Sequence, residues 1–306
     1  MENTRQSPSM KTRLVIFIFA VILLPWAGLR LSGNEISELS LITPDGAENI
    51  AAILLTTLIL LCYVLLINRM VKRRTGYSPA NVQRGYFLWV AAASAVLVWM
   101  LSYLNRYTEN WYTGQANIAA QILLYTPLFA LLAPAVLGTR ALLGSLPGLL
   151  KLLAGARSLP IPSGVTLVFA LIPVATLGLL GGAAWPAQLF WLLWIAPLLL
   201  LVALQLLWNE STIFSGLKSG DWGRVICAAL AGMIVGNFSV LIYQASGGKL
   251  MINLPNPLFA QLGYAVFGLL CLQLGDVVAE NWRGKKRGDL FQQKKKFPIS
   301  VVVKKT

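Results

Sequence analysis

Eight continuously apolar runs, each close to the length that crosses a bilayer, leave this chain very few folds to choose from. They lie near Leu14–Leu29, Asn49–Ile67, Tyr86–Leu104, Ile118–Leu137, Gly164–Leu180, Gln188–Leu207, Val225–Gln244 and Pro257–Leu274. A membrane-spanning helix needs about 20 apolar residues, and inside lipid every backbone N–H and C=O must be paired within the segment or within a closed barrel. A barrel strand alternates apolar and polar residues over about ten positions, whereas these runs do not alternate. The expected fold is an all-α polytopic transmembrane bundle of about eight spans. Composition agrees: 57% of the 306 residues are hydrophobic and 12% charged, against roughly a quarter charged in a soluble domain. Residues 1–282 read as one transmembrane helical domain and 283–306 as a basic cytoplasmic tail.

Basic residues stay on the side of synthesis, which orients the runs. With the N-terminus inside, only Arg30, Arg106 and Lys249 of the 25 Lys and Arg fall on the outer side. The outer segments carry Glu35, Glu38, Asp45, Glu48 and Glu109 instead. Both termini are therefore expected in the cytoplasm, with a bacterial cytoplasmic (inner) membrane as the address. Tryptophans fit the same frame: Trp26, Trp99, Trp111 and Trp185 fall near outer span ends and Trp89, Trp208, Trp222 and Trp282 near inner ones, where indole rings sit at headgroup level. The first run follows Lys11 and Arg13, but Pro25-Trp26-Ala27-Gly28 is a poor cleavage site, so an uncleaved first span is expected. The net charge of +14 follows from topology, and nucleic acid is not an expected partner.

Several chemistries are excluded by what the sequence omits. It has no histidine, which removes the commonest haem ligand, histidine-based zinc sites and histidine-activated nucleophiles. No glycine-rich phosphate loop of the Walker type is present. The cysteines Cys62, Cys227 and Cys271 sit singly on different spans, as small buried apolar residues do. Neither a metal nor any other cofactor is expected. No carboxylate lies deep in a span, which argues against a proton- or sodium-coupled pump.

Neutral polar residues do occur at depth: Gln121, Gln205, Asn237 and Gln261, with Ser239 and Gln273. They read as interhelical hydrogen-bonding groups, with a polar lining for a lateral cleft as the alternative. Ala228, Gly232 and Gly236 at spacing four form a small-residue stripe that admits a close helix neighbour. Pro127, Pro134, Pro173 and Pro197 interrupt spans and bend helices.

Two water-facing segments complete the inventory. Asn105 to Tyr112 mixes aromatics, amides, Arg106 and Glu109, a set that can stack on a sugar or meet a partner's loop. Were there a catalytic site, Glu109 and Arg106 with Glu48 nearby would be the candidates, a carboxylate serving as general base. In the tail, Arg283, Lys285, Lys286, Arg287, Lys294, Lys295 and Lys296 attract anionic lipid headgroups at the cytoplasmic face. Ala141–Ala156 reads as an interfacial helix.

Three functional readings follow. A non-catalytic membrane subunit or assembly partner of a larger membrane complex comes first, with membrane lipids and other membrane proteins as its partners. A permease or lipid translocator is the second, and an enzyme acting on a lipid-linked substrate at the outer face the third.

Overall fold

The computed structural model describes residues 10–32, 46–76, 84–113, 118–154, 158–159, 164–208 and 210–283. In chain order these form α1 (Met10–Ser32), α2 (Gly46–Thr75), α3 (Arg84–Thr108), β1 (Trp111–Thr113), α4 (Ile118–Leu143), α5 (Pro147–Ala154), α6 (Gly164–Ala184), α7 (Pro186–Leu207), a 3-10 turn at Ser215–Ser219, α8 (Gly223–Ala245), β2 (Leu250–Ile252) and α9 (Pro257–Arg283). Every helix except the short α5 is long and apolar enough to cross a membrane. The chain is a multi-span integral membrane protein with an all-α bundle.

The helices outrun the apolar windows that nucleate them. Backbone hydrogen bonding continues past the point where hydropathy falls, so α4 runs on through Gly138, Thr139 and Arg140, and α9 continues from Leu274 to Arg283. The interfacial helix expected over Ala141–Ala156 is shorter: residues 141–143 finish α4, the chain breaks at Gly144–Leu146, and α5 begins at Pro147. Proline suits that first position because its missing N–H would be unpaired there anyway.

Two packed groups make up the bundle. One is the trio α1, α6 and α7, with Val21, Leu179, Leu193 and Ala196 at its centre. The other is the group of five, α2, α3, α4, α8 and α9, centred on Ile53, Leu60, Val136, Val235 and Leu270. α3 touches both groups, and α7 also packs on α9. Near one end of the bundle, the start of α8 meets the C-terminal part of α9; this is called the terminal end. At the other, the hairpin end, α1 finishes beside the end of α6.

Candidate functional site

The hairpin end holds the loop that carries Glu109. Asn105, in the last turn of α3, organises the bend: its Oδ1 accepts the N–H groups of Asn110 (3.0 Å) and Trp111 (3.3 Å), and its Nδ2 donates to Trp111 O (2.7 Å). Glu109 takes a left-handed φ of 50° in this bend, a conformation costly for a side chain with a Cβ. The Tyr112 hydroxyl donates to Glu109 Oε2 at 3.0 Å. Burial first, then this bond to a carboxylate, pushes the Tyr112 phenol above its ordinary pKa.

Trp111, Tyr112 and Thr113 then pair antiparallel with Ile252, Met251 and Leu250, and Asn253 N–H donates to Asn110 O at 2.8 Å. Behind the ribbon the Trp111 ring lies 6.3 Å from that of Trp194, which is 5.5 Å from Phe190, itself 5.1 Å from Phe259. This aromatic stack joins α7 and α9 to the loop after α3. Arg106 is exposed and makes no hydrogen bond or ion pair among the described residues. Glu48 lies in the first turn of α2, and its side chain falls outside the described residues.

A groove of about 490 Å³ opens elsewhere at this end, between α1 and α6. Gly28, Leu31, Pro173, Leu177, Leu180 and Trp185 line it, together with a single hydroxyl from Thr176. Neither Glu109 nor Arg106 reaches it.

The polar residues at depth mostly bind one another. Asn237 Nδ2 donates to Gln261 Oε1 at 2.8 Å, and Gln261 Nε2 donates back to Asn237 Oδ1 at 2.9 Å. Fully buried Gln273 donates to Gln205 Oε1 at 2.6 Å. Gln121 is half-buried in the first turn of α4. Hydroxyls add further links: Thr139 donates to Ala135 O (2.8 Å), so the 2.7 Å contact with Tyr63 has the phenol as donor. Tyr125 and Tyr243 meet at 3.2 Å across α4 and α8.

Ser94 does more specific work. Its hydroxyl donates to Phe129 O (2.5 Å) and accepts Ala133 N–H (3.0 Å), the two groups that an unbroken helix would join directly. A side chain of α3 is thereby inserted into the ladder of α4 one residue before Pro134, where the helix bends.

At the terminal end Arg224 of α8 forms a two-pronged ion pair with Asp276 of α9. Arg140 and Arg224 lie beyond the ends of the apolar runs, yet both stand on helices. Cys62 is exposed, whereas Cys227 and Cys271 are buried, all as free thiols. Of the tail's basic residues only Arg283 falls within α9; Lys285, Lys286, Arg287, Lys294, Lys295 and Lys296 lie outside the described residues. No family model matches the chain, and neither does any curated protein or solved structure.

Proposed function

We propose that this protein is a non-catalytic membrane subunit, or an assembly partner, of a larger membrane complex. The observation that carries this reading is the use made of polar groups at depth. Asn237 and Gln261 satisfy each other, and Gln205 binds Gln273. A translocation path needs polar groups that are free to meet a substrate, whereas these amides bind one another, and Gln273 Oε1 and Ser239 Oγ are buried without a partner among the described residues. The outer-end residues fit the same reading: the Glu109 carboxylate accepts from Tyr112 within a compact bend, and the nearby groove is lined almost wholly by apolar groups. A bent aromatic loop closed by a two-stranded ribbon is a surface suited to a partner's loop.

The assembly sits in a bacterial cytoplasmic membrane with both termini inside, because the basic residues gather in the segments of one side. A C-terminal green fluorescent protein fusion is expected to fluoresce and a C-terminal alkaline phosphatase fusion to be inactive; the reverse pattern overturns the orientation. The functional reading is tested by purification in mild detergent, with mass measurement of the intact particle. A stoichiometric partner protein is expected, and the isolated chain in liposomes should move no lipid in a fluorescence-quenching assay. A lone chain that scrambles or transports lipid overturns the proposal.

A further inference from the structure

We infer that the terminal end of the bundle holds a phosphate-binding site built around Arg140 and completed by Arg224. Arg224 and Asp276 bind each other with side chains 14% and 22% exposed. Arg140, near the C-terminus of α4, lies within electrostatic reach of Arg224 and Asp276, with Tyr86 and Cys227 alongside. Two guanidinium groups thus share one carboxylate. A guanidinium stays charged in any protein environment, so Arg140, Arg224 and Asp276 together carry one surplus positive charge; Asp221, within electrostatic reach of Cys227, and Glu280, one turn beyond Asp276 on α9, form no ion pair with Arg140.

That surplus has no internal answer. Arg140 forms no ion pair and donates no hydrogen bond among the described residues. The Nε atoms of Arg140 and Arg224 are buried without an acceptor. Removing an unpaired charge from water is costly. The carbonyl end of α4 offsets only part of that. An anion supplied from outside completes the balance.

Phosphate is the anion the geometry favours. Guanidinium forks bind phosphate oxygens through paired N–H donors, and the single surplus charge matches the single negative charge of a phosphodiester. Arg224 also stands in the first turn of α8, whose cap residue Trp222 makes no side-chain capping bond. The free N–H groups of that turn add to the pull on an anion. The cluster lies near the ends of three spans, and Arg140 is half-buried there. A phosphate group is the chemistry shared by an anionic lipid headgroup and free phosphate, and the site itself does not rest on the assembly reading.

The test follows thermal unfolding of the full-length protein by tryptophan fluorescence. In a neutral detergent, sodium phosphate is titrated against sodium chloride at equal ionic strength. In a parallel series the protein is placed in nanodiscs of phosphatidylcholine with or without phosphatidylglycerol. Stabilisation by phosphate itself identifies a free phosphate as sufficient, and stabilisation by phosphatidylglycerol alone identifies the lipid headgroup; both support the site. Arg140→Gln is expected to weaken the response at least tenfold while leaving the anion-free midpoint unchanged or higher. Asp276→Asn, which adds to the surplus charge, is expected to bind at least as tightly as the wild type. If Arg140→Gln does not fold, Arg140→Lys, which keeps the charge and loses the fork, is expected to weaken binding several-fold. No response to either phosphate source overturns the proposal, as does a response in Arg140→Gln within twofold of wild type. So does a wild-type protein that shows no phosphate response and holds a partner that Arg140→Gln releases, because a partner's carboxylate would then be the counter-ion.

Discussion

The trio α1, α6 and α7 and the group of five reach close packing by different means. In the trio the contacts are backbone against backbone and aliphatic chain. A Cβ on Gly28 would lie 2.1 Å from Leu180 O, and one on Gly182 would lie 2.7 Å from Leu193 Cβ. The group of five has such contacts too: Gly232 lies against Gly268 and Gly236 against Tyr264, which fixes the neighbour of the small-residue stripe as α9 of this chain, and Gly275 lies against Leu137 of α4. Elsewhere it is joined by side-chain hydrogen bonds across helices, at Asn237–Gln261, Tyr63–Thr139, Tyr125–Tyr243 and Ser94 with α4. Lipid gives apolar side chains no reason to prefer protein over solvent, so membrane helices associate through close van der Waals approach or through polar pairs. The trio relies on the first solution, and the group of five combines both. Glycine contacts fix distance, whereas polar pairs also fix rotation and register.

Closing the gap that a glycine leaves should do the most damage. Gly232→Val would drive a side chain into the Tyr264 carbonyl, 2.2 Å from the Cβ position. Backbone cannot yield as a flexible side chain can, so a loss of roughly 3 kcal/mol or more is expected, read as a lowered midpoint in thermal unfolding. Gly28→Val meets an equally rigid wall, but on a helix whose contacts are mostly with α6. Limited proteolysis should then release α1 while the group of five keeps its midpoint. Global unfolding by Gly28→Val would show that the two groups are not separable.

Polar pairs should respond in the opposite way, with single changes worse than double ones. Gln273→Leu leaves the Gln205 amide buried without its partner, and about 1–2 kcal/mol should be lost. Gln205→Leu combined with Gln273→Leu removes both halves and should recover most of it. The Asn237 and Gln261 pair should behave alike. Ser94→Ala exposes Phe129 O and Ala133 N–H, for an expected cost of about 1 kcal/mol. That cost should shrink when Pro134→Ala is added, since the helix can then close its own ladder; a double-mutant cycle measures the coupling. Additive effects would remove Ser94 as the repair of the bend.

The spans were legible in the sequence because hydropathy is a local property: each apolar run is written in its own 20 or so residues. The meeting of Asn237 with Gln261 was legible for a similar reason, since consecutive spans place them at matching depth. Arg140 was not. Hydropathy falls at Gly138, Thr139 and Arg140, which looks like a loop, but α4 carries its hydrogen bonds through Leu143 and delivers the guanidinium into the bundle. Asp276 follows directly on the last apolar run, but its partner depends on how α8 packs against α9. Ser94 looks like any small polar residue until α4 is placed beside it. The ribbon escaped notice because its two three-residue strands lie far apart in the chain and neither alternates long enough to signal itself. In the loop after α3 the sequence supplied Glu109 and Arg106 but not the role of Tyr112, whose bond to Glu109 exists only once the chain bends at Asn105.

That loop is where the two groups are tied together, since Trp111 leans on Trp194 of α7 while its strand pairs with the segment before α9. Its response to alkali sharpens the comparison at the smallest scale. Burial and the Glu109 carboxylate both favour the neutral Tyr112 phenol in the folded protein. The stability this lends is therefore fully present below the ordinary tyrosine value of about 10, and is lost as pH rises through the raised one. Glu109→Gln removes the negative partner, so the phenolate absorbance of Tyr112, isolated by difference against Tyr112→Phe, should appear at lower pH than in the wild type. The same substitution should leave the Gln205–Gln273 and Gly28–Leu180 contacts intact, and the midpoint at neutral pH should move little. An unchanged phenolate titration would mean that Glu109 does not hold Tyr112 in the native loop. A large drop at neutral pH would mean that the bend carries more of the join between the two groups than the aromatic stack does.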